Sequence, residues 1–366
     1  MYNLINLLAM TCGKTFIGFL LYITVAMPLS AQNLFVGGNV RYGHILCNDD
    51  QSRTHINSST YGFSFYIGNN FAENEYWHSY WNFPSFGLEL SYDYIDNAVT
   101  GNKLGALFFI RPSFYKTERL SLNAYLGLGL SYFSKVYHKT DNPHNTYIGS
   151  HTNALINLGV QSNYFVSERL ALTAAVKFSH SSNGQMFRPN FGLNFAQFEF
   201  GCEYYFDRYK YTVPIVEKDK VKDNSVNISF SPGITESKHT GERYFASSLS
   251  IAYSRRFHPC FAYGIGYDFM YNGTIAATPW YTDASESDCF SQGIVANFEC
   301  LWGRVALRVG LGGYVINGEH QKLPYYERAG LFYYLDRDMS QYIGISIKAH
   351  AANAEFIEWT YGISLG

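Results

Sequence analysis

The chain has 366 residues, enough for one large domain or two domains of ordinary size. Its formal net charge of −2 gives no reason to expect a nucleic-acid partner. Only 15% of the residues are charged, yet the mean hydropathy is −0.13 and no later apolar run reaches spanning length, which excludes a helical membrane protein.

The first 31 residues have the pattern of a secretory signal peptide. Lys14 is their only charged residue, an apolar run follows over 15–27, and the segment ends on the small residue Ala31. The alternative is a first transmembrane helix, but the run is short and strand-like sequence follows at once. The five cysteines that remain after this segment are an odd number without short spacings. They indicate neither a disulfide framework nor a metal site, and no pattern indicates a cofactor.

Residues 32–206 read as successive β-strands with no helical period between them. Strands are predicted near 34–46, 59–69, 85–95, 103–117, 119–134, 150–166, 169–182 and 194–206. In the third strand, apolar residues alternate with a row that contains Glu89 and Asp93. Charges on that row cannot face lipid, so we expect a polar interior in which they pair with Lys177 and Glu199.

The strand over 170–182 carries the most informative pattern. Its apolar row is Leu170, Leu172, Ala174, Val176 and Phe178, and the next two residues on the same face are His180 and Ser182. When a histidine and a serine lie two residues apart on one face, the serine hydroxyl can act as a nucleophile and the imidazole as its base. The ordinary interpretation is the polar end of a strand. The catalytic interpretation is favoured because the pair continues an apolar row, where burying polar groups costs free energy.

The residues after Ser182 extend this pattern. Asn183-Gly184 is a turn signal whose backbone N–H groups are candidate oxyanion donors. In the next strand Asn194 shares a face with Ala196 and Phe198, which predicts that it returns to the face of His180.

Residues 207–224 are charged, contain a proline and read as a linker. Eight further strands are predicted near 225–236, 243–256, 260–272, 289–302, 303–316, 327–336, 339–351 and 355–365. Residues 346–353 are similar to residues 176–183, but Ala352 stands where Ser182 would be. The second half is therefore either a weak duplication without a nucleophile or a chance likeness between alternating strands.

Long alternating strands and a signal peptide favour an all-β fold, a transmembrane antiparallel β-barrel, because only a closed sheet leaves no unpaired edge in hydrocarbon. The alternative, a secreted β-sandwich, rarely sustains strands of such length. Two tandem eight-stranded barrels or one sixteen-stranded barrel fit the strand count. The linker is long for a periplasmic turn and favours two barrels. With a periplasmic N-terminus, the seventh strand carries His180 and Ser182 to its outer end.

The segments 180–184 (His-Ser-Ser-Asn-Gly), 189–190 (Pro-Asn) and 192–194 (Gly-Leu-Asn) resemble a known family. It is the family of outer-membrane lipid A 3-O-deacylases (PagL), or acyloxyacyl hydrolases, and the similarity covers about 85–206. The resemblance implies an eight-stranded outer-membrane barrel that removes an ester-linked acyl chain from lipid A of lipopolysaccharide in the outer leaflet.

Residue by residue, the resemblance implies that His180 is the base, Ser182 the nucleophile, and Asn183 with Gly184 the oxyanion region. The family's third member is a glutamate, whereas this sequence has Asn194, which can orient the imidazole but cannot stabilise its charge. Two alternatives stay open. One is a non-catalytic structural or porin-like barrel with a degenerate motif, and the other is an acylhydrolase acting on phospholipid. The acyl position, the oligomeric state and the role of 225–366 stay open as well.

Overall fold

The computed structural model describes residues 33–47, 50–71, 76–209, 224–277, 286–316, 323–351 and 353–366. The predicted signal peptide over 1–31 lies outside these residues. So does most of the predicted linker, of which 210–223 is not described. None of the described helices is long and apolar enough to cross a membrane.

The first half forms an antiparallel sheet that closes on itself through the pairings β1–β9 and β4–β6. Its strands are β1 (Leu34–Leu46), β2 (Ser59–Asn70), β3 (Ser85–Ile95), β4 (Lys103–Arg111), β5 (Ser113–Lys116), β6 (Leu120–Phe133), β7 (Thr152–Phe165), β8 (Leu170–Ser182) and β9 (Leu193–Tyr205). Two short helices lie in the connections, α1 (Asp50–Ile56) and α2 (Tyr76–Tyr80). The sequence patterns did not predict either helix.

One predicted strand, 103–117, is divided into β4 and β5 at Pro112. Proline has no backbone N–H to donate to the ladder, so it interrupts a strand. Its carbonyl still accepts the Ala124 N–H at 2.9 Å, and β5 continues along the same neighbour, β6. The nine segments therefore occupy eight positions around the barrel, as predicted.

The second half forms a closed antiparallel barrel of eight strands, which meet through the β10–β17 pairing. They are β10 (Asn224–Glu236), β11 (Arg243–His258), β12 (Phe261–Asn272), β13 (Phe290–Trp302), β14 (Val305–Ile316), β15 (Tyr325–Tyr334), β16 (Gln341–His350) and β17 (Asn353–Leu365). A 3₁₀ helix spans Glu286–Cys289. The prediction of two tandem barrels is confirmed and the sixteen-stranded alternative is wrong, because each half satisfies its own edges.

The chain forms two compact units. Among the described residues, one unit contains 33–183 and 189–209, and the other contains 224–366 together with the short segment 184–188. The second unit therefore takes five residues from the first half of the sequence.

The lumen of the first barrel is filled by charged side chains in contact with one another. Lys177 Nζ lies 3.1 Å from Glu89 Oε2, as predicted. Glu199 does not pair with Glu89 or Asp93, because like charges repel, and its Oε2 instead lies 2.8 Å from Lys177 Nζ. Arg41 Nε lies 3.0 Å from Glu199 Oε1. Lys103 and Asp93 complete the network, so three cations face three carboxylates. Pairing of this kind is required because an uncompensated buried charge is strongly destabilising.

The outer face of the barrel is apolar, as the strand patterns predict. In β8, Val176 and Phe178 are 53% and 39% exposed, whereas Lys177 between them is 1% exposed in its side chain. An alternation of exposed apolar and buried polar residues is the signature of a membrane barrel, inverted relative to soluble proteins.

Candidate active site

His180 and Ser182 lie at the C-terminal end of β8, where the apolar row ends. His180 is half-buried and follows Phe178 on the outer row, while Ser182 is 7% exposed. A strand rises about 3.3 Å per residue, which places the two Cα atoms about 7 Å apart on one face. The strand therefore places the Cα atoms of His180 and Ser182 on the same face, while a contact between the imidazole and the hydroxyl stays a prediction.

Asn194 is the direct neighbour of His180 on the next strand. The two residues are paired in the register of β8 and β9, so their side chains leave the same face of the sheet. The side-chain oxygen Oδ1 of Asn194 lies 2.7 Å from Nδ1 of His180. The predicted return of Asn194 to the face of His180 is what the structure shows.

This contact determines which ring nitrogen of a neutral His180 carries the proton. The Oδ1 atom of Asn194 can only accept, so Nδ1 of His180 is the donor. Nε2 of the neutral ring is then unprotonated and can accept a proton from a hydroxyl. The asparagine thus orients the imidazole as a base, without supplying a negative charge.

Asn190 contacts the hydroxyl of Ser182, and sequence analysis assigned it no role. Its Nδ2 group donates to Ser182 Oγ at 2.8 Å, and its Oδ1 accepts the backbone N–H of Asn183 at 3.2 Å. Asn190 is 5% exposed, so both contacts are made in a buried setting. The only signal in the sequence was its place in the Pro-Asn segment after the motif.

The two predicted oxyanion residues differ in what the structure shows of them. Asn183 donates its backbone N–H to Asn190, and its Nδ2 group donates to Ser150 Oγ at 3.0 Å. Gly184 has a φ of +63°, which favours glycine. Asn190 is one donor that the structure places next to Ser182 Oγ, while an oxyanion role for Asn183 and Gly184 stays a prediction.

Gly192 packs against the imidazole of His180. Its φ is +76°, and a Cβ atom at this position would lie 2.7 Å from His180 Cε1 and 3.3 Å from Nε2. The Gly192 N–H donates to the Tyr147 carbonyl at 2.9 Å, which holds the backbone in place. A residue without a side chain is therefore needed beside the ring.

The second barrel has a histidine at the position that resembles His180. His350 Nε2 lies 2.8 Å from the hydroxyl of Tyr314, and Nδ1 lies 3.4 Å from Glu355 Oε2. Ala352, predicted to stand in place of the nucleophile, lies outside the described residues.

Two family models match the sequence. The model "Lipid A 3-O-deacylase (PagL)" matches residues 38–203, and the model "Acyloxyacyl hydrolase, C-terminal domain" matches residues 224–366. Sequence analysis had found no family resemblance for this second segment. No curated protein matches the sequence.

Several solved outer-membrane barrels are similar to this chain. The outer-membrane enzyme PagL is 16% identical with a TM-score of 0.35, and the alignment covers 45% of this chain and 97% of that one. A double mutant of the Rh. blastica porin is 10% identical with a TM-score of 0.21, covering 91% and 99% of the two chains. Pseudomonas aeruginosa OccK11 (OpdR) is 10% identical with a TM-score of 0.23, covering 91% and 96%.

The family assignment therefore rests on the two family models. Together they match both barrels and more than half of the sequence. The chain belongs to the lipid A 3-O-deacylase (PagL) family of outer-membrane β-barrel enzymes.

Proposed function

We propose that this protein is an outer-membrane esterase that removes an ester-linked acyl chain from lipid A by a serine–histidine mechanism. The proposal assigns residues 1–31 to a signal peptide, 32–206 to the catalytic barrel, 207–224 to a linker and 225–366 to a second barrel. Lipopolysaccharide in the outer leaflet is the proposed partner. The observation that carries the proposal is the His180–Asn194 hydrogen bond, which directs the basic Nε2 atom away from the asparagine.

The first step is acyl transfer to Ser182. As Oγ attacks the ester carbonyl, His180 Nε2 takes the hydroxyl proton, and a tetrahedral oxyanion forms. The intermediate then collapses, the sugar oxygen leaves with the proton from His180, and the acyl chain stays bound to Ser182. The position of His180 on the outer row suits a substrate that diffuses in the membrane.

The developing oxyanion needs donors close to the attacking oxygen. Asn190 Nδ2 is 2.8 Å from Ser182 Oγ, so it lies within reach of an oxygen that forms beside that atom. Asn183 and Gly184, implied by the family resemblance, are the further proposed donors.

The second step is hydrolysis of the acyl-enzyme. His180, again neutral, takes a proton from water, which attacks the same carbonyl and releases a fatty acid. Ser182 then recovers its proton from the imidazolium. Asn194 keeps the ring in place through both steps, but an amide cannot stabilise the charged ring as the family's glutamate would.

Mass spectrometry of lipid A tests this function directly. Cells that produce the protein should contain lipid A species lighter by one ester-linked acyl chain, together with the free fatty acid. Unchanged lipid A together with lysophospholipids, which have lost one acyl chain, would indicate a phospholipid acylhydrolase instead. Unchanged lipids of both classes would indicate a non-catalytic barrel with a degenerate motif.

Substitutions at Asn194 measure what the amide supplies. Asn194→Ala should lower the deacylation rate moderately, because the ring loses its orienting contact. Asn194→Glu should hold or raise the rate, because a carboxylate stabilises the imidazolium. In a serine protease, exchanging the acid for an amide lowers kcat by about 10⁴-fold. In a site adapted to asparagine, the opposite exchange should raise the rate by a much smaller factor. If only the Asn194→Glu variant were active, the native protein would be a catalytically inactive barrel.

A methyl group at Gly192 should displace the imidazole. Gly192→Ala is expected to lower the deacylation rate by about 10- to 100-fold, because small misplacements of a catalytic group are costly. The matched control is Gly241→Ala, at a φ of +70° with no atom within 4 Å of the added Cβ. Both variants carry a similar backbone strain, so equal losses in the two would contradict the contact with His180.

A further inference from the structure

Three strands of the second barrel bring a hydroxyl, an imidazole and a carboxylate together. The hydroxyl of Tyr314 on β14 lies 2.8 Å from His350 Nε2 on β16, and His350 Nδ1 lies 3.4 Å from Glu355 Oε2 on β17. All three residues belong to one compact unit. A hydroxyl, a base and an acid in this order are the groups that activate a nucleophile.

The hydroxyl comes from a strand that the sequence pattern does not point to. Residues 351–353 contain no hydroxyl, so the likeness of 346–353 to 176–183 predicts no nucleophile after His350. In the structure Tyr314 supplies one, and its ring is stacked on the imidazole, with the ring centres 5.9 Å apart and the planes at 18°. Since β15 lies between β14 and β16 in the sheet, the contact joins strands that are not neighbours.

Glu355 determines which form of His350 meets the phenol. Its carboxylate faces Nδ1, so the neutral ring carries its proton on that nitrogen. Nε2 is then the acceptor for the hydroxyl proton of Tyr314. A carboxylate at this place also stabilises the imidazolium that forms when the proton is transferred, which the amide of Asn194 in the first barrel cannot do.

The carboxylate is held at both of its oxygen atoms. Lys348 Nζ contacts Glu355 Oε2, and Asn272 Nδ2 donates to Oε1 at 2.6 Å. The cluster is nevertheless open at the end of the strands, because the side chains of His350 and Glu355 are 21% and 14% exposed and Tyr314 is half-buried. A small molecule can therefore approach an imidazole and a phenol that are already oriented.

We propose that Tyr314, His350 and Glu355 form a second catalytic site, in which the Tyr314 phenol takes an acyl group from an aryl ester. The substrate class follows from the leaving group. A tyrosine phenol has an ordinary pKa of about 10, so it displaces another phenol readily but is a poor reagent for displacing an alkoxide. The alkyl esters of lipid A are therefore not the substrates of this site.

The reaction has two steps. Tyr314 Oη attacks the ester carbonyl while His350 Nε2 takes the phenol proton, and the aryl oxygen leaves and receives that proton from the imidazolium. The acyl group is then an ester of Tyr314. In the second step His350 takes a proton from water, which attacks the same carbonyl, releases the carboxylic acid and returns the phenol. Glu355 acts through His350 and is a positioning residue.

The test uses the full chain in detergent with Ser182→Ala, so that the proposed first site does not react. The probe is p-nitrophenyl acetate. Acid-quenched peptide mapping by mass spectrometry measures how fast each tyrosine is acetylated, and p-nitrophenolate release measures turnover. Tyr361 is the internal control, since it is 50% exposed and its hydroxyl donates to an amide oxygen, Gln341 Oε1, at 2.9 Å.

We expect Tyr314 to be acetylated at least about 100-fold faster than Tyr361, because a positioned general base contributes about 10²- to 10⁴-fold. Tyr314→Phe keeps the ring and should lose the rapid release of p-nitrophenolate. Acetylation of Tyr314 at the rate of Tyr361 would overturn the proposal, and so would rapid release that persists in Tyr314→Phe.

His350→Ala should lower the acetylation rate of Tyr314 by about 100-fold, and added imidazole should restore part of it, because a soluble base can occupy the vacated place. The matched control is His258→Ala. His258 ends β11, and its Nδ1 accepts the Cys260 N–H at 3.2 Å, so its loss should leave the rate unchanged. Acetylation in His350→Ala as fast as in the parent would show that no base activates the phenol.

Glu355→Gln should lower the rate by about tenfold, and Glu355→Asp by less, because only a carboxylate stabilises the imidazolium. Equal rates in these two variants and the parent would remove Glu355 from the site. Heat-modifiable migration shows whether each variant is folded. Where Glu355→Gln does not fold because Lys348 loses its partner, Tyr314→Phe and His350→Ala still decide the proposal. Every variant lacks Ser182, so no outcome depends on lipid A deacylation.

Discussion

Ser182→Ala is expected to abolish lipid A deacylation, with a loss of at least about 10³-fold, because Ser182 is the only hydroxyl residue on the outer row of β8, the row that also carries His180. Removal of the serine in a serine protease costs about 10⁶-fold in kcat. The measurement is the fraction of deacylated lipid A after incubation of the purified barrel with lipopolysaccharide. Heat-modifiable migration on gels reports that the variant is folded.

The neighbouring serine provides the control. Ser181 is fully buried on the lumen side, where its Oγ accepts a hydrogen bond from Ser131 Oγ at 3.0 Å. Ser181→Ala should therefore keep its activity. His180→Ala should lose nearly as much activity as Ser182→Ala, and the double variant should be no worse than either, because the pair acts as a unit. Full activity in Ser182→Ala would contradict the mechanism.

Glu199→Gln is expected to destabilise the first barrel by about 3–5 kcal/mol, which is the cost of breaking a buried ion pair. Glu199 contacts both Arg41 and Lys177, and its Oε2 accepts a hydrogen bond from Asn39 Nδ2 at 3.0 Å. Without its charge, three buried cations face only two carboxylates. Urea unfolding of the full chain in detergent, followed by gel mobility, measures the change.

The matched control removes a carboxylate from the surface. Glu168 Oε2 lies 3.3 Å from Arg208 Nε, and both side chains are more than 60% exposed. An exposed ion pair contributes about 0–1 kcal/mol, so Glu168→Gln should unfold close to the wild type. Equal destabilisation by the two substitutions would contradict a special role for the buried network.

The strands could be predicted because one physical rule governs the whole sequence. Each strand separates hydrocarbon from a packed polar lumen, so apolar and polar residues must alternate along it. Glu89 and Asp93 were recognised as interior residues for this reason. The helices α1 and α2 have only seven and five residues, too short for a helical period to emerge from the sequence.

In the candidate site, the positions that could be predicted are those that lie on strands. His180 and Asn194 lie on one face because two neighbouring strands with a period of two must place them there. Asn190 was missed because it lies in a loop, where no period fixes the direction of a side chain. The contacts of Asn183 could not be predicted either, because Asn183 lies beyond the end of β8 and its partner Ser150 is distant in sequence.

The balanced charges of the first lumen also bear on permeability. The side chains of Arg41, Glu89, Lys177 and Glu199 are at most 1% exposed, so water does not reach them from either end. An ion entering the barrel would have to separate these pairs and lose its own hydration shell at the same level. The first barrel should therefore act as an electrical seal, with no measurable single-channel conductance in a planar bilayer. A porin-like role for this protein would have to be carried by other parts of the molecule.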